Sequence, residues 1–95
     1  MMGKDVIINI PTNFVVDEVA TFRIQINKLI EEGNRNFIFN FSECNFIDST
    51  GLGALVSIYK KCVEKGGSIK LKTLKPDVEK LFKLTRLDKV FEICP

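Results

Sequence analysis

The chain has 95 residues, of which 45% are hydrophobic and 27% are charged, with a formal net charge of +2 and no histidine. This length and composition are typical of one globular domain, here residues 1–95. The small net charge, without a stripe of lysine or arginine, argues against a nucleic acid or a membrane surface as a partner. No signal peptide begins the sequence and no apolar run approaches the roughly 18 residues of a membrane span, so we expect a cytoplasmic protein.

The cysteines do not indicate a metal site. The chain has an odd number of cysteines and no C-x-x-C pair: the three are Cys44, Cys62 and Cys94. Because histidine is absent too, the residue types that hold zinc are too few. We therefore expect three reduced, mostly packed thiols, with no metal and no cofactor.

The first half of the chain predicts two short strands, a helix and a longer strand. Residues 6–10 and 14–16 have the β-branched and aromatic character of strands. Residues 17–32 have apolar residues at helical spacing, and Asp17 is the expected cap of this helix. Its predicted inner face consists of Val19, Phe22, Ile26, Leu29 and Ile30. Residues 37–41 are apolar at nearly every position, which predicts a strand that is buried on both faces or close to it.

The second half predicts two more helices and two more strands. A helix is expected at residues 49–64, ended by Gly66 and Gly67, and a strand at residues 68–72. Pro76 suits the first position of a third helix, and residues 90–93 form a last strand. The predicted core stripe of the middle helix is Leu52, Leu55, Val56, Tyr59 and Val63. That of the last helix is Val78, Leu81, Phe82 and Thr85.

Strands that alternate with helices over short connections predict an α/β fold. We expect a single domain with a mainly parallel (mixed) sheet of four to five strands, covered by three to four helices. In such sheets the functional crevice lies beyond the carboxyl ends of the strands. The segment from Asp48 to Thr50 lies at such a strand-to-helix junction.

This junction is the most informative part of the sequence. Asp48, Ser49 and Thr50 are three consecutive residues whose side-chain oxygens cap helices well. Gly51 and Gly53 follow within the first turn, where each glycine costs about 1 kcal/mol relative to alanine. Two such costs are explained if another group must come close to the backbone there.

Enzymatic sites do not fit the junction. Ser49 is not within a G-x-S-x-G motif, and the chain has no histidine to serve as its base. The glycines also match neither a phosphate-binding loop nor a complete dinucleotide fingerprint. The residues alone leave two roles open for Ser49: it caps the helix, or it receives a phosphate at the positive end of the helix.

Residues 37–55, FIFNFSECNFIDSTGLGAL, resemble the STAS domain of bacterial anti-sigma factor antagonists. Within them, DSTGLG at positions 48–53 matches the phosphorylation motif of that family. Asn40 falls where the family has Asp or Asn near the end of the preceding strand. The similarity continues through residues 80–93, KLFKLTRLDKVFEI, and covers most of the chain.

The resemblance implies a switch protein without catalysis of its own. Such antagonists bind an anti-sigma factor that is also a serine kinase, and thereby release the sigma factor. The kinase phosphorylates the hydroxyl that follows the motif's Asp, here Ser49, and a PP2C-type phosphatase removes the phosphate. The residues expected to contact the partner are Asn40, Asp48, Thr50, Gly51, Leu52 and Gly53.

Three points qualify this expectation. The alternative is a STAS module that is never phosphorylated and serves as a scaffold or a transporter-accessory subunit. Leu52 has two open roles, docking on the kinase or packing in the core. The family also places an acidic residue on the partner face after its first strands, whereas residues 11–16 contain none before Asp17.

Overall fold

The computed structural model describes residues 5–95. In chain order its elements are β1 (Val6–Asn9), β2 (Asn13–Phe14), α1 (Val16–Glu31), β3 (Asn36–Asn40), β4 (Phe46–Ile47), α2 (Ser49–Glu64), β5 (Ser68–Lys72), α3 (Pro76–Leu84), a 3-10 turn (Leu87–Lys89) and β6 (Glu92–Cys94). A four-stranded sheet has the order β1-β3-β5-β6, and β2 and β4 form a second, two-stranded sheet. Every pair of neighbouring strands is parallel, which confirms the predicted α/β class.

The connections between strands explain why the helices lie on one face of the main sheet. From β1 to β6 each crossover advances in the same direction, and right-handed crossovers of this kind place their helices on the same side. On that side Ile8, Phe39 and Leu71 are paired neighbours and all are buried. Together with the inner faces of the helices they form one hydrophobic core.

The opposite face of the sheet is accessible to solvent. Its central row runs across the four strands through Ile7, Ile38, Lys70 and Glu92. Ile7 is 64% exposed, and Ile38 is only half-buried. Strand β3 is thus fully buried on one face and half-buried on the other, so only the weaker form of the prediction holds. Its apolar residues continue onto a face that no helix of residues 5–95 covers.

Helix α1 has the predicted inner face but a different start. Val19, Phe22, Ile26 and Ile30 are buried, and Leu29 is half-buried. The residue before the helix is Val15, which makes no side-chain capping hydrogen bond. Asp17 lies within the first turn, so its prediction as the cap is wrong. The second strand ends at Phe14, and Val16 belongs to the helix instead of the strand.

Helix α2 has the predicted bounds, but its buried face differs from the predicted stripe. The residues that the helix buries are Gly51, Ala54, Leu55, Ile58 and Cys62. Of the predicted stripe only Leu55 is fully buried, and Val63 is 47% exposed. The inner face thus lies about one residue, or 100°, from the expected one. The helix is held close to its neighbours on the side of Gly51, where there is no side chain.

The C-terminal region agrees with the prediction in part. Pro76 begins α3, whose Val78 and Phe82 are buried. Thr85 is exposed at the end of this helix, where its hydroxyl donates to the carbonyl of Leu81 at 2.9 Å, so its place in the inner face is wrong. The 3-10 turn was not expected. The last strand begins at Glu92 instead of residue 90, because the N–H groups of Val90 and Phe91 donate to the carbonyl of Leu87.

All three cysteines are free thiols. Cys44 and Cys62 are buried in the core and Cys94 is half-buried. Burial raises the pKa of the Cys44 and Cys62 thiols. Of the helices in the described part of the chain, none is both long and apolar enough to cross a bilayer.

Candidate functional site

The N-terminus of α2 is built on an aspartate cap. The short strand β4 ends at Ile47, and Asp48 follows in an extended conformation. Its Oδ1 accepts a hydrogen bond from the backbone N–H of Gly51 at 2.9 Å. This is the usual geometry of an N-cap, which satisfies one of the free N–H groups of the first turn.

The cap leaves the two following hydroxyls unused. Ser49 and Thr50 are the first two residues of α2, and both are exposed. Among residues 5–95 neither hydroxyl takes part in a hydrogen bond, since the capping bond is made by Asp48. Of the two roles that the sequence left open for Ser49, capping is thus taken by its neighbour. The Ser49 hydroxyl faces solvent at the positive end of the helix dipole.

Gly51 is required by the packing of the chain itself. A Cβ at this position would lie 2.7 Å from the carbonyl oxygen of Phe14 and 2.8 Å from Cγ1 of Ile47. The same carbonyl accepts the N–H of Asp48 at 3.4 Å. The expected close approach to this glycine is therefore made by β2, within the molecule. Because Gly51 is buried, it is not available for a direct contact with a partner.

Unlike Gly51, both Gly53 and Leu52 have surface that faces the solvent. Nothing lies within 4 Å of the Cβ position of Gly53, which is exposed. The fold of the described residues gives no reason for a glycine there. Leu52 is half-buried and packs against the hydrophobic core, so part of its surface faces the solvent beside the N-terminus of α2.

Asn40 holds together the carboxyl ends of two strands. Its Nδ2 donates to Oδ1 of Asn9 at 3.0 Å, and its Oδ1 accepts the backbone N–H of Ser42 at 3.1 Å. The side chain thus joins β1 to β3 and shapes the turn that follows β3. In the described structure no hydrogen bond connects it to residues 48–53. Asn40 lies at the same edge of the sheet as the α2 N-terminus, but its amide is already used within the fold.

Exposed apolar side chains lie on both sides of this N-terminus, and the sequence analysis did not identify them. Phe46, directly before the cap, is 55% exposed, and Val16, at the start of α1, is 59% exposed. Phe46 and Leu81 of α3 line a groove of roughly 230 Å³. Two-residue strands such as β4 are too short to show a period, so no pattern in the sequence indicated that Phe46 faces outward.

The junction presents a hydroxyl at the positive end of a helix. It offers an exposed hydroxyl, the free N–H groups of a first turn and no acidic side chain inside that turn. Within residues 5–95 no three His, Cys, Asp or Glu residues are grouped as a metal site. The arrangement suits the addition of a phosphate by another protein, because the helix terminus stabilises negative charge.

Comparison with known proteins identifies the family of this chain. The family model of the STAS domain matches residues 3–95. The anti-sigma-B factor antagonist of Bacillus subtilis (strain 168) is 30% identical over 90 residues, which are 95% of this chain and 82% of that protein. That relative is named as the antagonist of a regulatory factor and not as an enzyme, in agreement with the expectation of a chain without catalysis.

Solved structures share the fold. A crystal structure of a candidate anti-sigma factor antagonist from Thermotoga maritima is 26% identical, with a TM-score of 0.88, over 96% of this chain and 79% of that chain. The unphosphorylated form of the anti-sigma factor antagonist SpoIIAA is 22% identical, with a TM-score of 0.85, over 99% of this chain and 83% of that chain. The phosphorylated form of SpoIIAA from Bacillus has a TM-score of 0.78, at 22% identity, over 99% of this chain and 86% of that chain. With the family model matched over nearly its whole length, this chain belongs to the STAS domain family.

Proposed function

We propose that the chain is an anti-sigma factor antagonist controlled by phosphorylation of Ser49. The unphosphorylated form binds an anti-sigma factor that is also a serine kinase, and the sigma factor is released. Phosphorylation ends this complex, and a PP2C-type phosphatase restores the binding form. The protein acts in the cytoplasm by binding, without a cofactor. The 30% identity to the Bacillus subtilis antagonist supports the first part of the proposal.

The exposed Ser49 hydroxyl supports the second part of the proposal, which is control by phosphorylation. Because Asp48 caps the helix, phosphorylation of Ser49 breaks no hydrogen bond within residues 5–95. A phosphate there gains the attraction of the helix terminus, so the modified protein keeps its fold. The signal is then read by the partner as a change of charge on an unchanged surface. This free hydroxyl favours the switch over a scaffold that is never phosphorylated.

The added charge is large enough to end a complex. A phosphoserine carries about −1.5 to −2 charges at neutral pH. Two like charges about 4 Å apart repel by about 4 kcal/mol at an effective dielectric constant of about 20. Since about 1.4 kcal/mol is a tenfold change in affinity, one acidic group of the partner near Ser49 suffices.

The partner surface surrounds this hydroxyl. Gly53 leaves a gap on the exposed side of α2, through which the active site of a kinase can reach the Ser49 backbone. Leu52 presents its exposed part beside this gap, and Thr50 is exposed in the same turn. Asp48 contributes through its cap, while Asn40 and Gly51 support the surface from within the fold.

The edge of this surface is apolar where the family has an acidic residue. Val16 is 59% exposed after β2, and Phe46 is 55% exposed before the cap. The kinase that recognises this chain should therefore present apolar side chains toward these two positions. Their burial contributes about 25 cal/mol for each Å² removed from water.

Mapping the modified residue tests the proposal. The protein is incubated with its cognate kinase and ATP, and the phosphate is located by mass spectrometry. We expect phosphate on Ser49 only, none in Ser49→Ala, and phosphate still on Ser49 in Thr50→Ala. Phosphate on Thr50, or no phosphate from a kinase that is active on another substrate, contradicts the assignment.

A further inference from the structure

The outer edge of β1 offers unpaired backbone groups. β1 is the first strand in the order β1-β3-β5-β6, so within residues 5–95 only β3 pairs with it. An edge of this kind presents a row of N–H and C=O groups that accept another strand. The edge strand itself, Val6–Asn9, contains neither proline nor lysine, which are the residues that usually block such pairing.

The hydrogen bonds of β1 show which residues face outward. The N–H of Ile10 donates to the carbonyl of Asn40 at 2.9 Å. Because backbone groups alternate in direction along a strand, Ile8 and Ile10 bond to β3, and Ile7 and Asn9 point away from the sheet. Asp5 continues this outward set in front of the strand. The side chains of these outward residues lie on the face of the sheet that no helix covers.

The outward residues are complementary to a second copy of themselves. In an antiparallel pair centred on Ile7, each Ile7 faces Ile7 of the second copy, and Asp5 faces Asn9 of the second copy. The Asn9 Oδ1 is occupied by Asn40, which leaves the Asn9 amide N–H₂ to donate to the facing carboxylate. The two Ile7 side chains, each 64% exposed in the single chain, cover one another beside Ile38.

We propose that two copies of this chain associate through antiparallel pairing of their β1 edges. The paired sheets form one continuous eight-stranded sheet. In an antiparallel arrangement the carboxyl ends of the two sets of strands point in opposite directions. The two Ser49 sites therefore lie at opposite ends of the dimer, and both stay accessible to a partner. The proposal is independent of the phosphorylation of Ser49.

Sedimentation velocity over micromolar to millimolar concentrations tests this association. We expect a species of twice the 10.8 kDa mass to appear as concentration rises. Ile7→Lys places two like charges opposite one another and should raise the dimer dissociation constant about tenfold or more. Leu84→Lys is the control, because Leu84 is also 72% exposed and belongs to α3, which connects β5 and β6 at the other side of the sheet.

Hydrogen exchange of the unmodified protein is a second measurement that needs no variant. The amides of Ile7 and Asn9 should become protected as concentration rises, while that of Ile10 is protected throughout. A wild-type chain that is monomeric at all concentrations overturns the proposal. So does a dimer that Ile7→Lys and Leu84→Lys affect equally, or one that leaves the Ile7 and Asn9 amides unprotected.

Discussion

The carbonyl oxygen of Phe14 lies 2.7 Å from the place that a Cβ on Gly51 would take. This carbonyl at the end of β2 also accepts the N–H of Asp48, so it fixes the cap and the third residue of α2 together. The first turn of the helix is therefore positioned by backbone packing, and its hydroxyls have no part in it. The two glycines of the motif therefore differ in role: Gly51 is needed for packing within the fold, whereas Gly53 lies on the surface.

Alanine substitutions of the two glycines should have opposite effects on stability. In Gly51→Ala the new methyl group meets a backbone oxygen that is not free to move, which costs about 1–3 kcal/mol. In Gly53→Ala the methyl group enters open space, and the higher helix propensity of alanine adds up to about 1 kcal/mol. Thermal unfolding measures both changes in stability, since each kcal/mol shifts the Tm by about 4–8 °C in a domain of this size.

The same two variants also report on binding. Gly53→Ala should weaken the complex with the anti-sigma factor even though it stabilises the isolated protein, because its methyl group occupies the gap beside Ser49. Equal affinity for Gly53→Ala and the wild type would show that this gap is not part of the partner surface. Stability of Gly51→Ala equal to that of the wild type would contradict the packing described for Phe14.

Removal of the cap should destabilise the protein modestly. Asp48→Ala loses the hydrogen bond to the N–H of Gly51, which costs about 0.5–2 kcal/mol. Asp48→Asn keeps an oxygen acceptor in the same place and should be close to the wild type in urea unfolding. If both variants unfold at the same urea concentration, the carboxylate charge and not the cap is what stabilises this terminus.

The buried thiols predict a pH dependence. Burial raises the pKa of Cys44, an effect offset in part by its contact with the Phe46 carbonyl and by the charge of Lys75. Burial likewise raises the pKa of Cys62. The folded state thus favours the neutral thiols, so their contribution is fully present below about pH 8.5 and is lost as pH rises through the higher folded-state values.

Two measurements check this behaviour. The free energy of unfolding, followed by urea titration, should fall between pH 8 and pH 10. In the folded protein iodoacetamide should modify the half-buried Cys94 before the two buried thiols. Alkylation of Cys44 or Cys62 at the rate of Cys94 would be inconsistent with their burial.

The sequence predicted the elements better than their faces. The bounds Ser49–Glu64 and Ser68–Lys72 are those expected, because caps, glycines and alternation are local signals. The predicted buried side of α2 was displaced by about one residue, although Leu52, Val56 and Tyr59 still pack against the core. The exact side depends on the contact between Gly51 and Phe14, which are far apart in sequence. The exposure of Ile7 likewise follows from the direction of the crossovers, which decides the face that the helices cover. The residues of a single strand do not indicate that direction.

At the candidate site the motif indicated a segment, but not which of its residues caps the helix. Asp48, Ser49 and Thr50 are all good capping residues, so composition alone does not say which one caps. The hydrogen bond from the Gly51 N–H to Oδ1 of Asp48 shows that Asp48 is the capping residue. The outward direction of Phe46 depends on the pairing of two-residue strands, which no periodic pattern records.

The affinity of Ser49 variants for the anti-sigma factor tests the central claim most directly. Isothermal titration compares Ser49→Ala and Ser49→Asp, with Ser57→Asp as the control for a charge elsewhere on the exposed side of α2. Both Ser49 variants should fold, because the first turn of a helix tolerates a carboxylate. We expect Ser49→Ala and Ser57→Asp to bind like the wild type and Ser49→Asp to bind about tenfold or more weakly. Equal affinities of Ser49→Ala and Ser49→Asp would contradict a switch that works by charge at this position.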